Sequence, residues 1–186
     1  MENAERGMHG DVRPAPAIRP AVRGDLDAVW AIERDAFGAD AYPRLFFRQA
    51  FDLWPDLLRV AVLPGSNVAG YVVGAPSTRP DVAWILALAV APASRGRGVA
   101  SALVEDLAGL LARSGAREVR LTVHPDHADA AGLYAKLGFR AVHEEPDYFG
   151  PGEPRRKLAA RGPGAARRGR DRSGGGYPRS RDRAQR

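Results

Sequence analysis

No cysteine occurs among the 186 residues, so neither disulfides nor thiol catalysis is open to this chain. Histidine is nearly as scarce. With only four, and no thiolate to join them, we expect no metal site. No apolar run approaches the ~20 residues that span a bilayer, and the N-terminal stretch lacks the apolar core of a secretory signal. These absences lead us to expect a soluble, cytoplasmic protein with no membrane partner. Internal repeats are missing too. The dinucleotide pattern G-x-G-x-x-G fails because Gly98 is followed by Val99, Ala100 and Ser101, and no Gly-Lys-Ser/Thr marks a P-loop.

What is present suffices for one domain of ordinary size plus tails, and a hydrophobic content of 45% can supply a core. The net charge of +6 is unevenly placed. Nine arginines against Asp171 and Asp182 give segment 161–186 a charge of +7, so the rest of the chain sums to −1. That segment is rich in Gly, Arg, Ser and Pro and cannot bury enough apolar surface to offset chain entropy, so we expect disorder there. It is either a weak electrostatic contact for RNA or the ribosome, or a solvated extension with no partner. Residues 1–16, poor in apolar side chains and containing Pro14 and Pro16, are expected to be disordered as well. The folded domain is then 17–160.

Between the tails the elements alternate. Ile18 to Val22 reads as a strand, and Gly24-Asp25 opens a helix with Leu26, Val29, Trp30, Ile32, Ala36 and Phe37 at helical spacing. Asp25 and Asp27 suit its positive end. A second helix is expected over about Pro43 to Leu53. Leu57 to Leu63, the turn Pro64-Gly65-Ser66-Asn67 and Val68 to Gly74 form a hairpin. A strand over Val82 to Ala91, a helix over Ser101 to Ala112, a strand over Arg117 to Val123 and a helix over Ala128 to Leu137 follow. Phe139 to His143 and Arg156 to Ala159 supply two last strands.

The richest segment is Ala89-Val-Ala-Pro-Ala-Ser-Arg95-Gly96-Arg97-Gly98-Val99-Ala100. A helix that opens after a glycine-rich loop aims unpaired N–H groups and its positive dipole end at one spot. Such a spot suits phosphate, and Gly96 and Gly98 let a diphosphate approach the backbone. Arg95-Gly96-Arg97-Gly98-Val99-Ala100 resembles the Q/R-x-x-G-x-G/A acetyl-CoA motif of the GNAT N-acetyltransferases. Further along, Gly132-Leu133-Tyr134-Ala135-Lys136-Leu137-Gly138-Phe139 is similar to that family's A-x-x-L-Y-x-K-x-G-F signature. The two motifs stand in the family's order, and the resemblance spans roughly residues 17–158.

The resemblance implies a mixed α/β (α+β) fold. Its mostly antiparallel sheet would have about seven strands and four flanking helices, in the order β-α-α-β-β-β-α-β-α-β-β, and would be splayed near its middle. It implies acetyl-CoA as cosubstrate. The backbone of Leu88, Ala89 and Val90 would pair with the pantetheine arm, while Arg95, Gly96, Arg97, Gly98, Val99, Ala100 and Ser101 would surround the diphosphate. His127 stands where the family often has asparagine on that arm, and it can still donate or accept a hydrogen bond. Tyr134 matches the general acid that meets the departing sulfur. The base is open: Thr122 occupies the strand position of a glutamate in relatives, and threonine is no base at neutral pH. His124, Glu144, Glu145 and ordered water are the substitutes, and imidazole's ordinary titration range favours His124.

Ile32-Glu33-Arg34-Asp35-Ala36-Phe37 resembles the I-E-x-x-x-F segment of the RimI-type protein α-amino acetyltransferases. Asp147-Tyr148-Phe149-Gly150-Pro151-Gly152-Glu153 resembles the aromatic stretch of their last hairpin. By that resemblance Phe37, Tyr148 and Phe149 flank an incoming peptide. Tyr42-Pro43-Arg44-Leu45-Phe46-Phe47-Arg48 stands where specificity loops lie and suits a peptide or a small amine. The expected acceptor is a primary amine, foremost a protein N-terminus. The rival readings are a small-molecule amine (an antibiotic, polyamine or amino-acid derivative) and a non-catalytic acyl-CoA sensor or RNA associate.

Overall fold

The computed structural model describes residues 15–64 and 67–161. Of the segments expected to be disordered, 1–16 and 161–186, all but Ala15, Pro16 and Arg161 lie outside the described residues, as does the Gly65-Ser66 centre of the hairpin turn; Arg161 ends the last strand. The elements follow the predicted order. They are β1 (Ala17–Pro20), α1 (Leu26–Phe37), α2 (Arg44–Leu53), β2 (Leu58–Val62), β3 (Val68–Pro76), β4 (Val82–Val90), α3 (Val99–Arg113), β5 (Glu118–Val123), α4 (Ala128–Lys136), β6 (Arg140–Glu145) and β7 (Arg155–Arg161).

The boundaries shift where local chemistry intervenes. A 3-10 turn over Arg23–Asp25 precedes α1, so Asp25 does more than face a helix end. Its Oδ2 accepts the Val22 N–H at 2.8 Å, and the Arg19 guanidinium grips both oxygens at 2.6 and 3.0 Å. This buried clamp ties β1 to α1, and Arg19 and Val22 together hold the Asp25 carboxyl below its usual range. Pro43 stands just before α2 rather than in its first turn, with an extended backbone. Helix α3 begins at Val99, two residues earlier than the apolar run suggested, because left-handed Gly98 (φ +75°) is its cap. After α4, Gly138 (φ +85°) turns the chain and drops Phe139 into the core, so β6 starts one residue later than expected.

Seven strands form one sheet in the order β1-β2-β3-β4-β5-β7-β6, and only the β4–β5 neighbours run parallel. Helices cover both faces. On one, α1 and α2 bury Val29, Ile32, Phe47 and Ala50 against Leu58, Val60, Tyr71 and Val73. On the other, Leu103, Leu107 and Leu111 of α3 and Tyr134 of α4 pack with Val119, Leu121, Phe139 and Leu158. Each fully buried side chain of this size contributes about 1.5–3 kcal/mol. Both clusters meet at β3 and β4, so that pair of strands is the rigid frame of the molecule. Gly70 of β3 is required by that closeness: a Cβ there would sit 2.9 Å from the Ala89 carbonyl oxygen and 3.2 Å from Val99.

Candidate active site

The two parallel strands stay together only briefly. Val82, Ala83 and Trp84 pair with Glu118, Val119 and Arg120, and beyond them β4 and β5 part. The cause lies in β4 itself. Val73 pairs with Ala87 and Gly74 with Ile85, which leaves Leu86 as an extra, unpaired residue. A bulge of this kind bends its strand and breaks the alternation of faces. Ile85 packs on the α3 side, Leu86 and Ala87 both pack on the α1–α2 side, and Leu88 returns to the α3 side. From Ile85 onward β4 therefore has a partner strand only on its β3 edge.

A cavity of about 290 Å³ opens in that gap. Its walls are Ile85 to Leu88 of β4 and Leu121 to Val123 of β5. His124, His127, Ala130 and Tyr134 close it from the α4 side. Across the cleft stand Glu33, Phe37, Asp40 and Tyr42, with Phe149 and Arg155 from the last hairpin. A second cavity of about 230 Å³ is lined by Val90, Ser94, Arg95, Gly96, Gly98, Val99, Ala100, Ser101 and Leu133. The sequence-predicted residues thus fall into two groups that share β4 and α4.

In the second cavity Gly96 and Gly98 both have left-handed φ values, +69° and +75°, which cost a non-glycine residue about 1–2 kcal/mol. A Cβ on either would meet no atom within 4 Å, so the glycines are there first for conformation, and the space beside them is open. The first helical bond of α3 runs from the Ala102 N–H to the Gly98 carbonyl, which leaves the N–H groups of Val99, Ala100 and Ser101 ahead of the ladder. Left-handed loop, open space and unladdered N–H groups fit a diphosphate. Arg95 reaches back to the Val90 carbonyl at 3.4 Å, and Arg97 lines neither cavity. Ala89 sends its side chain into the α1–α2 core, so only its backbone faces the strand edge.

Tyr134 is 8% exposed, edge-on to Phe139 with ring centroids 5.5 Å apart. Burial pushes its phenol up to about 12, so it stays protonated throughout the physiological range. His124 lies just beyond β5 and lines the cavity beside Thr122, with His127 at a ring distance of 5.8 Å. Its Nδ1 accepts the Asp126 N–H at 3.2 Å, so neutral His124 carries its proton on Nε2. To act as a base it would have to surrender that bond. Glu144 and Glu145 are removed from consideration, because Arg156 holds the first at 2.9 Å and Lys157 the second at 2.8 Å, and neither lines the cavity. Tyr148 stands behind Phe149, 4.8 Å between centroids, and is not itself part of the lining.

Glu33, noted in the sequence only as a motif letter, is 1% exposed. Oε1 accepts the Tyr42 N–H at 2.8 Å and Oε2 accepts the Tyr71 hydroxyl. Burial raises its pKa although both bonds favour the charged form. In turn, burial and the Glu33 charge push the Tyr71 phenol well up. The signal was readable: with Val29 and Ile32, Glu33 falls on the i, i+3, i+4 face that α1 turns to the core. Arg155 carried no such signal.

A profile of the Acetyltransferase (GNAT) family matches residues 26–139. L-2,4-diaminobutyric acid acetyltransferase of Nocardia farcinica is 30% identical over 128 residues, covering 66% of this chain and 64% of that protein. N-alpha-acetyltransferase MAK3 of Arabidopsis thaliana is 32% identical over 102 residues, 54% of each. The chain thus spans 64% and 54% of the length of these curated relatives. The crystal structure of Ard1 from Thermoplasma volcanium superposes with a TM-score of 0.73 at 26% identity, covering 80% of this chain and 98% of that one. The family profile runs from the first turn of α1 to the residue before β6 and so takes in the smaller cavity, the strands that part beside it and all of the larger cavity's lining except Phe149 and Arg155; the chain belongs to the GNAT acetyltransferase family.

Proposed function

We propose that this chain is an acetyl-CoA-dependent N-acetyltransferase whose acceptor is a protein N-terminal α-amino group. One observation carries the reading: a largely buried, protonated phenol, Tyr134, faces the gap where β4 leaves β5, and the diphosphate cradle adjoins β4 and the same helix α4. Acetyl-CoA supplies an activated acetyl carbonyl joined to a sulfur leaving group. The free edge of Leu88 to Val90 would hold its pantetheine amides, and Gly96, Gly98 and the N–H groups of Val99 to Ser101 its diphosphate. Overall, the amine nitrogen gains the acetyl group and gives up a proton, while the sulfur leaves and gains one. Tyr134 holds a proton at its Oη for that sulfur, and His127 and Arg95 border the arm and the phosphates.

The acceptor reading has three supports. No free carboxylate stands at Thr122, and His124 presents a donor, so an amine that needs little help is favoured. An α-amine with a pKa of about 7.7–8.0 is roughly 10–20% neutral at pH 7, a penalty of about 1 kcal/mol, against about 4.6 kcal/mol for a lysine. Phe37, Tyr42 and Phe149 give the cleft an aromatic mouth suited to peptide, and the similarity to N-alpha-acetyltransferase MAK3 points the same way. A second reading, a small amine bearing a carboxylate, draws on the similarity to L-2,4-diaminobutyric acid acetyltransferase. Thiol release from acetyl-CoA with a panel of N-terminal peptides and small amines tests both. We expect turnover with peptides at least tenfold above small amines. The reverse order selects the second reading, and binding of coenzyme A without turnover on any acceptor overturns both.

A further inference from the structure

Three consecutive cations open β7, and two of them are neutralised. Arg156 pairs with Glu144 at 2.9 Å and Lys157 with Glu145 at 2.8 Å across the β6–β7 ladder. Glu145 lies directly opposite Arg155 in the register, yet it reaches diagonally to Lys157 instead. Arg155 therefore has no carboxylate within ion-pair distance among the described residues. Its guanidinium sits 4.6 Å from the Phe149 ring centroid, and one nitrogen, Nη1, donates to the Pro154 carbonyl at 2.8 Å. The remaining donors of a partly buried fork are left at the wall of the larger cavity. Tyr42 stands on the same side of the cleft, and the Arg155 charge lowers the pKa of its phenol, which burial and Glu33 raise. Glu33 and Asp40 line the same cavity.

We propose that Arg155 is a specificity-determining residue that binds a carboxylate carried by the acetyl acceptor a few ångströms from its reacting amine. The inference rests on the acceptor-site reading above and deepens it. A guanidinium already stacked on an aromatic ring loses little further freedom when it binds, and its planar fork matches a carboxylate with two parallel bonds. The same chemistry comes from two sources, an acidic side chain at the second position of a peptide or the carboxylate of a free amino acid. With Glu33 and Asp40 lining the same cavity, an acceptor with one charge of each sign complements it.

Two matched pairs test this on the full chain. One is an N-terminal alanine peptide, amidated at its C-terminus, with glutamate or glutamine second. The other is γ-aminobutyrate and its amide. In at least one pair the acid should exceed its neutral partner by about 10- to 100-fold in kcat/KM, chiefly through KM, as a charge-assisted bond allows. The pair that discriminates identifies the source. Arg155→Gln should reduce the ratio to within about threefold, the acid partner losing at least about tenfold more than the neutral one, while the KM for acetyl-CoA changes by less than about twofold. Arg155→Lys should keep part of it. Calorimetric binding of the same four compounds to the coenzyme A complex reads the selectivity without turnover. Acid preference in binding with no acetyl transfer upholds the inference while defeating the acetyltransferase reading. Indifference of the unmodified protein in both pairs, or an equal loss for acid and neutral partner in Arg155→Gln, overturns it.

Discussion

Replacing Tyr134 by phenylalanine removes one oxygen atom from a ring that otherwise stays in place. The ring is 8% exposed and rests against Phe139, and no side chain or backbone group among the described residues bonds to its hydroxyl. No partner is orphaned by the change, so stability should shift by less than about 0.5 kcal/mol. Catalysis should respond differently. Burial pushes the phenol up to about 12, whereas a thiol titrates near 8.5, so complete transfer of its proton to sulfur runs uphill by on the order of 5 kcal/mol. On the proposed function Tyr134 would then act as a hydrogen-bond donor that stabilises the developing sulfur charge, and the proton released by the amine would finally neutralise it. A bond to a charged group is worth about 1.5–3 kcal/mol, which converts to a loss of about 10- to 150-fold in kcat. The assay is thiol release over pH 6 to 10, alongside thermal unfolding and the KM for acetyl-CoA. The phenylalanine variant should lose kcat at every pH with KM and melting temperature unchanged. The unmodified enzyme should show no alkaline limb from this phenol below about pH 11. A loss under about threefold, or a loss matched by a falling melting temperature, would refute the assignment.

Gly70→Ala places a methyl group 2.9 Å from the Ala89 carbonyl oxygen and 3.2 Å from Val99. We expect about 1–3 kcal/mol of destabilisation by urea unfolding and, because β4 and the start of α3 must move, weaker coenzyme A binding by calorimetry. Asp25→Asn breaks the clamp between β1 and α1. Because the folded carboxyl titrates below its unfolded value of 3.8, its stabilising share is present above that pH and fades as the pH falls through the folded value. The variant should therefore lose about 1–3 kcal/mol at pH 7 and converge with the parent in acid unfolding once the pH falls below the titration of the folded carboxyl.

Particular residues show how far a linear reading carries. The alternation in Arg117 to Val123 and the Gly138 stop after Tyr134 are local patterns, and they reappear as β5 and the end of α4 with shifts of one or two residues. The cavity at the glycine loop was legible for the same reason, since it is lined mainly by one loop and one helix end. Glu33 was half legible: its place on the apolar stripe of α1 marks it as odd, but its bond to Tyr71 joins residues 38 apart. Glu144 and Glu145 stood as base candidates in the sequence and are spoken for in the fold, because partners on β7 lie 12 residues away and only the ladder brings them near. His124 keeps its place in the cavity and loses its accepting nitrogen to a backbone N–H two residues on.

Periodicity, turn residues and two short motifs determined the element order, the sheet's class and the family, because each depends on neighbours within a turn or two of the chain. Tertiary structure alone decided where the cleft opens and what lines it. The bulge at Leu86 parts β4 from β5, and that gap gathers α1, α4 and the last hairpin around one space. Pairing is a sum over partners distant in sequence, so which charges remain free, Arg155 among them, is settled only when the strands are in register.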